Sequence, residues 1–170
     1  MTETSTFKTP WGWMTVSASA KGVTAIDLSP SVRTANDGPR DGPRRDDAAA
    51  SIVKDAQAQL LSYLKGARRD FALPIDWSAG TPFRRKVWKA IARIPYGRVR
   101  SYQWVAIRVG GKQYARAVGM ALGANPVPIV VPCHRIIAHD GSLGGFSSGL
   151  PLKRRLLQLE GTLAQLRNAR

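Results

Sequence analysis

Short runs of alternating apolar and polar residues dominate the first part of the chain. Residues 6–28 alternate in this way, and turn residues interrupt them at positions 10–12 and 21–22. Because successive side chains of a strand point to opposite faces, this spacing predicts a hairpin or meander. Residues 71–75 form a further apolar run and predict another strand. In residues 48–65 the apolar positions recur every three or four residues, which predicts a helix.

Two segments of the N-terminal half show no such period. Residues 30–47 consist largely of Gly, Pro, Asp and Arg, and they predict a mobile, exposed loop. A functional basic arm is the alternative, against which the interleaved aspartates argue. Residues 78–82 have the composition of a linker. We therefore expect one domain over residues 1–78 and a second over residues 79–170.

Helical spacing takes over in the second half of the chain. Thr81 and Pro82 suit the cap and the first position of a helix, and apolar residues then recur at positions 83, 87, 88, 91 and 94. A last amphipathic helix is predicted over residues 152–159, before Gly161. The predicted fold class is α+β, with a small antiparallel sheet first and a mostly helical domain after it.

Two shorter helices lie between these and are joined by a glycine turn. Ser101 can cap a helix over residues 102–109, a Gly-Gly pair follows it, and a second helix over residues 113–124 stops before Pro126. In a basic stretch of sequence this arrangement predicts a helix-turn-helix.

The second helix of this pair is built from small residues. Gly119 and Gly123 each lower its intrinsic stability by about 1 kcal/mol relative to alanine. Two interpretations fit: close packing against another helix, or entry into a groove of DNA. A helix that reads bases carries several Arg, Asn or Gln side chains. This one carries essentially Arg116, so it would hold DNA without reading much of its sequence.

Composition narrows the class of protein. The 170 residues hold 26 basic and 11 acidic side chains, a formal net charge of +15, which favours nucleic acid as the partner. The hydrophobic fraction of 44% suffices for a normal core. No apolar run approaches the roughly 18 residues of a membrane span. Glu3 stands where a secretory signal carries basic residues, so we expect a cytoplasmic protein.

The only cysteine, Cys133, is followed directly by His134 between two apolar segments. A thiol held stiffly in this way suits a positioned nucleophile, but an inert core cysteine has the same surroundings. A single cysteine forms no internal disulfide, and with two histidines a structural zinc site is not expected. We expect neither a metal nor a cofactor.

Several motifs together resemble one family, the O6-alkylguanine-DNA alkyltransferases, also called methylated-DNA–protein-cysteine methyltransferases. The resemblance is strong over residues 81–161, whereas the N-terminal half matches only in its strand-rich, loop-interrupted layout. The matching segments are Pro132-Cys133-His134-Arg135, Ala115-Arg116-Ala117-Val118-Gly119, Asn125-Pro126, Ser101-Tyr102, Ile94-Pro95-Tyr96-Gly97, Gly144-Gly145-Phe146-Ser147 and Leu156-Leu157-Gln158-Leu159-Glu160-Gly161.

The resemblance implies a DNA repair enzyme with an RNase H-like N-terminal domain and a winged-helix-like C-terminal domain. It would transfer an alkyl group from O6 of guanine, and from O4 of thymine, irreversibly to Cys133, once per molecule. By the same resemblance, His134 takes the thiol proton through a water, Glu160 orients the imidazole, and Asn125 braces the turn before the cysteine.

The resemblance also implies binding to double-stranded DNA from the minor groove, by a monomer, with cooperative assembly left open. The damaged nucleotide would be flipped out. Arg116 would fill the gap, and Tyr102 would rotate the adjacent phosphate and donate toward guanine N3. Other expected DNA contacts are Ser101, Ala115, Ala117, Gly119 and Gly123. The expected pocket residues are Tyr102, Leu122, Pro128, Val131, Ile136, Gly145, Phe146 and Ser147.

Two residues depart from the pattern of this family. Phe146 stands where many relatives carry tyrosine, which removes a hydroxyl near the bound base. Trp104 occupies a helix position that is usually small or polar, so a contact with DNA or with another protein molecule is expected to change. A lesion-binding module without transfer is the alternative function, but such relatives lack the cysteine. An unrelated regulator with a redox cysteine would need base-reading side chains on its second helix.

Overall fold

The computed structural model describes residues 1–28 and 46–166. Two compact units make up the chain, Met1–Ala79 and Gly80–Arg170, which we call the N-terminal and C-terminal units. Within the described residues, no helix is long and apolar enough to cross a membrane.

In the described parts of the N-terminal unit, residues 1–28 and 46–79, a three-stranded antiparallel sheet has one α-helix packed on it. The strands β1 (Thr2–Thr9), β2 (Gly12–Ser19) and β3 (Gly22–Asp27) are neighbours in chain order. Every second side chain of β2 is buried from Met14 onward, as the alternating pattern predicts. Helix α1 (Asp47–Leu64) covers that face of the sheet with its own apolar side chains.

Two predictions for the N-terminal unit, a strand over residues 71–75 and a loop over residues 30–47, differ from the structure or lie mostly outside its described residues. The strand predicted over residues 71–75 is wrong, because only Ile75 forms a bridge, a parallel one to Val23. Pro74 has no N–H to donate, and its carbonyl accepts from Val23 at 2.8 Å. The predicted loop over residues 30–47 falls mostly outside the described residues. Its last two residues belong to the helix, since Asp46 caps α1 and Asp47 begins it.

As far as residue 166, the C-terminal unit contains four α-helices and one short parallel strand pair. Helices α2 (Pro82–Ile91), α3 (Tyr102–Val109) and α4 (Ala115–Gly123) pack against one another, and α5 (Leu150–Leu159) lies nearer the end of the chain. The α3–α4 pair confirms the predicted helix-turn-helix. The α+β class is likewise confirmed.

The starts of two helices differ from the predictions by two residues each. The segment expected to open the second helix of the pair is a 3₁₀ turn, Lys112–Tyr114, and the α-helix proper starts at Ala115. Helix α5 starts two residues earlier than predicted, at Leu150, because Pro151 fits its first turn.

The short strand pair positions the cysteine. Strand β4 (Arg100–Ser101) pairs in parallel with β5 (Ile136–Ile137). The first residue of α3, Tyr102, directly follows β4, and the 3₁₀ turn Cys133–Arg135 directly precedes β5. Two segments about 30 residues apart in sequence are thereby held side by side.

Candidate active site

A tightly hydrogen-bonded turn leads from α4 to Cys133. The side chain of Asn125 accepts from the N–H of Val127 at 3.0 Å and donates to the carbonyl of Val131 at 2.8 Å. The same carbonyl accepts from the N–H of Cys133 at 2.8 Å. Ile129, in the middle of this turn, has φ of 73°, a strained conformation for a β-branched residue. The Asn125 side chain thus links two points of the turn between α4 and Cys133, at Val127 and Val131.

The thiol of Cys133 is almost wholly buried, with 5% of the residue exposed. Burial raises the pKa of the Cys133 thiol, because a thiolate is poorly solvated there, and the Asn125 side chain and the Lys153 charge oppose this rise. At neutral pH the sulfur therefore needs a base to become a strong nucleophile.

Next to the cysteine, His134 and Glu160 form a buried pair. Nε2 of His134 lies 2.9 Å from Oε1 of Glu160, and neither side chain is exposed to solvent. Burial alone would raise the pKa of the Glu160 carboxyl, but hydrogen bonds from His134 and Arg135 outweigh it and lower that pKa to about 2. Glu160 is therefore a carboxylate at neutral pH.

The charge of Glu160 fixes the tautomer of the histidine. A carboxylate only accepts hydrogen bonds, so Nε2 of His134 carries the proton and Nδ1 carries a lone pair. Burial lowers the pKa of His134, against the opposing effect of Glu160, so the ring is neutral at physiological pH. Nδ1 is buried and has no hydrogen-bond partner among the described residues. The imidazole is thus arranged as a proton acceptor.

Arg135 is a member of this cluster that sequence analysis did not single out. Its Nε and Nη2 donate to Glu160 at 2.8 to 3.2 Å, and its Nη1 donates to the carbonyl of Ile94 at 2.6 Å. Only 6% of the residue is exposed. A bidentate arginine of this kind holds a carboxylate in one orientation. Its place in the Pro-Cys-His-Arg motif was the available signal.

Above Cys133 lies a cavity of about 130 Å³ within the C-terminal unit. Helix α4 contributes one wall, and the segment after residue 144 contributes another. The residues around it are Tyr102, Gly119, Leu122, Gly123, Cys133, Gly145, Phe146 and Ser147. Cys133 therefore shares this cavity with residues expected to line the pocket and with two glycines of α4, Gly119 and Gly123, that are expected to contact DNA.

Three predicted pocket residues do not line this cavity. Pro128, Val131 and Ile136 are buried in the packed interior instead. Two of them accept structural hydrogen bonds at their carbonyls, Val131 from the Asn125 side chain and Ile136 from Lys153. The resemblance placed these three residues in the pocket, whereas here they belong to the packed interior.

Tyr102 connects α3 to the loop over residues 144–147. Its hydroxyl accepts from the N–H of Gly145 at 3.2 Å and lies 3.4 Å from the carbonyl of the same residue. Gly144 has φ of +71° and leaves no room for a side chain, because a Cβ there would meet the Tyr102 ring at 3.0 Å. Burial raises the pKa of the Tyr102 hydroxyl, which keeps it protonated and able to donate.

Lys153 is the second residue that sequence analysis missed. It is fully buried, and its Nζ donates to the carbonyls of Ile136 at 2.5 Å and of Gly145 at 2.9 Å. Burial lowers the pKa of Lys153 to about 8. It stands at the start of a basic run with Arg154 and Arg155. Helical spacing was the overlooked signal, since Lys153 lies on the same face of α5 as Leu156 and Leu157.

The outer face of α4 is open. Nothing lies within 4 Å of a Cβ built at Gly119 or at Gly123, so these glycines do not pack against another helix within the described residues. That finding argues against the close-packing interpretation. Arg116 is exposed on the same helix, and Ala115 and Ala117 are partly exposed. Ser101 uses its hydroxyl to cap α3, accepting from the N–H of Trp104 at 3.1 Å.

Nearly all of the net positive charge belongs to the C-terminal unit. Residues 80–170 hold 16 of the 26 basic side chains and only two of the 11 acidic ones, which amounts to +14 of the total +15. One of the two acids, Glu160, is buried within the site. The helix-turn-helix unit is therefore strongly cationic.

Comparison with known families accounts for almost the whole chain. The profile described as "6-O-methylguanine DNA methyltransferase, ribonuclease-like domain" matches residues 4–77. The profile described as "6-O-methylguanine DNA methyltransferase, DNA binding domain" matches residues 82–162.

Individual relatives agree with these profiles. A methylated-DNA–protein-cysteine methyltransferase of Methanosarcina barkeri is 44% identical over 109 residues, which cover 64% of this chain and 68% of the relative. An inducible one of Bacillus subtilis is 46% identical over 102 residues, or 60% of this chain and 56% of the relative. The crystal structure of Mycobacterium tuberculosis OGT in complex with DNA covers 94% of this chain and 93% of its own, with 36% identity and a TM-score of 0.76.

The fold and the site together define a class: a protein with a buried cysteine, a histidine–carboxylate pair next to it and a helix-turn-helix whose second helix lines the same cavity. Within this class, the profile matches and the relatives are decisive. The chain belongs to the 6-O-methylguanine DNA methyltransferase family.

Proposed function

We propose that this protein repairs DNA by removing the alkyl group from O6-alkylguanine onto Cys133, in a single irreversible turnover. The observation that carries the proposal is the position of Cys133, which lines the cavity under α4 and precedes a neutral histidine held by a carboxylate. O4-alkylthymine is a second expected substrate, since its alkyl carbon is also bonded to an exocyclic ring oxygen.

The first step is activation of the thiol. Nδ1 of His134 takes the proton from Cys133 across a bridging water, as the family resemblance implies. Glu160 stabilises the resulting imidazolium through the 2.9 Å hydrogen bond, and Arg135 keeps the carboxylate in place. The cationic Lys153 stabilises the thiolate in the same buried environment.

The second step is the transfer itself. The thiolate sulfur attacks the alkyl carbon on O6, so that a carbon–sulfur bond forms while the carbon–oxygen bond breaks. The electron pair of the broken bond stays with the base, which takes up a proton at N1 and leaves as neutral guanine. The proton released by the thiol is held on the imidazole of His134 and is passed on through the bridging water. Tyr102, whose hydroxyl remains protonated, donates toward N3 and supports the departing guanine.

The product explains why the protein acts once. A thioether has no activated carbonyl that water could attack, and a thiolate is a poor leaving group. The sulfur is therefore capped permanently. Repair is stoichiometric, with one protein molecule consumed for each lesion.

Access to the lesion requires DNA binding and base flipping. The bare outer face of α4 supports entry of this helix into the minor groove, with Gly119 and Gly123 allowing close approach. Arg116 fills the place of the flipped nucleotide, while Ser101, Ala115 and Ala117 lie against the backbone. The charge of the unit makes this binding largely independent of sequence and sensitive to salt.

The decisive experiment uses a duplex with one radiolabelled O6-methylguanine. Label should move to the protein in a one-to-one ratio, peptide mapping should locate it on Cys133, and Cys133→Ser should abolish transfer while retaining DNA binding. Catalytic turnover, or binding of the lesion without transfer by the wild-type protein, would reject the proposal. The latter result would favour the lesion-binding module instead.

Binding as a monomer, cooperative assembly along DNA and a cytoplasmic location stay predictions. Analytical ultracentrifugation of the protein alone, and then with duplexes of increasing length, tests the first two. Fractionation of cells that express the protein tests the third.

A further inference from the structure

A surface tryptophan on the first helix of the helix-turn-helix holds two arginines. The Cζ atom of Arg108 lies 3.9 Å from the ring centroid of Trp104, and that of Arg100 lies 5.4 Å from it. Trp104 and Arg108 are four residues apart on α3 and so share a face of the helix. Arg100 belongs to β4, just before this helix. We call this group the Trp104 cluster.

Within residues 1–28 and 46–166, no acidic side chain neutralises the positive charge of the cluster. Among the described residues, no carboxylate pairs with the guanidinium of Arg100 or of Arg108. Arg100 uses one donor on the carbonyl of Val99 at 2.8 Å. Its other N–H groups remain available, and Arg108 is exposed. A guanidinium stacked on an indole keeps its N–H donors at its edge, where they suit the oxygens of a phosphate.

We propose that the Trp104 cluster is a phosphate clamp that grips the DNA backbone beside the flipping helix α4. The inference rests on the DNA binding proposed above and adds a second contact region to it. In helix-turn-helix proteins the helix before the groove-entering one crosses the backbone, and α3 has that place here. The indole holds both guanidiniums in place before binding, so less side-chain freedom is lost when a phosphate is bound.

A second copy of the chain is the competing occupant, and charge disfavours it. The C-terminal unit carries a formal charge of +14, so two such surfaces repel each other unless DNA lies between them. A DNA backbone supplies the complementary charge. Contacts of this kind fix orientation and carry no sequence information, which suits a protein that searches any sequence for damage.

The test measures binding to a short undamaged duplex that holds one protein molecule, by fluorescence anisotropy over a series of salt concentrations. Arg100→Gln and Arg108→Gln should each weaken binding by about threefold to tenfold and flatten the plot of log K against log salt by about 0.9. The matched control is Lys54→Gln, which removes one charge from an exposed position of α1. It should change neither quantity by as much.

Replacement of Trp104 tests whether the indole itself contributes by holding the two guanidiniums in place, apart from the charge of the arginines. Trp104→Ala keeps both arginines, so the salt slope should stay near that of the wild type while affinity falls by about threefold. Trp104→Phe should recover part of that affinity. Reaction of Cys133 with a small thiol reagent, at an unchanged rate, confirms that each variant is folded around its site.

Several outcomes would overturn the clamp. The first is that both arginine variants bind DNA with the same affinity and the same salt slope as the wild type. If the wild type still accepts the methyl group from damaged DNA, only the clamp is rejected and the proposed repair function is not. The second is that the arginine variants bind the short duplex normally, and only the number of protein molecules bound to a long duplex changes. The cluster would then be a contact between protein molecules on DNA. If the wild type bound no DNA at all, the proposed function would fail with it.

Discussion

Oε1 of Glu160 accepts hydrogen bonds from two consecutive residues, at 2.9 Å from Nε2 of His134 and at 2.8 Å from Nη2 of Arg135. One carboxylate therefore serves both the histidine that we propose as the base and the arginine that ties the carboxylate to the carbonyl of Ile94. Catalysis and stability are linked at this atom, and the variants of this cluster should separate them.

Glu160→Gln should slow methyl transfer much more than it weakens DNA binding. The amide no longer stabilises an imidazolium, so we expect the single-turnover rate to fall on the order of 10-fold to 100-fold. Rapid-quench measurement with excess protein gives this rate, and anisotropy with an undamaged duplex gives the affinity. An unchanged rate would remove Glu160 from the mechanism.

Arg135→Met should mainly destabilise the protein. It leaves the buried carboxylate of Glu160 without its cationic partner, and breaking a buried pair in this way costs about 3 to 5 kcal/mol of unfolding free energy. Urea denaturation followed by circular dichroism measures the loss. The control is Arg93→Met on the exposed surface after α2, which should lie within about 0.5 kcal/mol of the wild type.

Acid should unfold the protein partly through Glu160. The pKa of this carboxyl is about 2 in the folded state and 4.5 ordinarily, so its contribution is fully present above pH 4.5 and is lost as the pH falls toward 2. The shift corresponds to about 3 kcal/mol. The difference in unfolding free energy between wild type and Glu160→Gln, measured from pH 7 downward, should shrink over that window. A constant difference would show that the carboxyl is not perturbed.

Lys153→Met should make the cysteine harder to ionise. The charge of Lys153 opposes the effect of burial on the pKa of the Cys133 thiol, so its removal should shift the pH profile of thiol alkylation toward higher pH. Transfer from damaged DNA should slow as well. Lys153→Arg, which keeps the charge, serves as the control for the profile, and a profile that does not move in Lys153→Met would contradict the electrostatic role.

Gly119→Ala should stabilise the protein and impair its function. A methyl group at this helical position meets nothing within 4 Å, so the helix gains about 1 kcal/mol. The same methyl group projects from the face proposed to enter the groove, and DNA affinity should drop severalfold. Thermal denaturation and anisotropy measure the two effects. A variant that is more stable and binds DNA normally would exclude close approach by α4.

The sequence predicted most accurately those features that depend on neighbouring residues, such as the ends of helices. The bounds of α3 follow from the cap at Ser101 and the stop at Gly110, both of which act within one turn, and the structure has the predicted helix, Tyr102–Val109. The strand expected around Ile75 was wrong because pairing depends on a partner far along the chain. Lys153 escaped notice for a similar reason, since the carbonyls that accept from it are brought near only by the folded chain.

The separation of the catalytic groups along the chain has a consequence for protein synthesis. Glu160 follows His134 by 26 residues and ends α5, so a nascent chain carries its cysteine out of the ribosome well before the group that tunes its base. In such a fragment the imidazole of His134 has no carboxylate to fix its tautomer, so the proton acceptor next to the cysteine is set only when α5 has docked. We therefore expect competence for transfer to appear only once the last helix is in place.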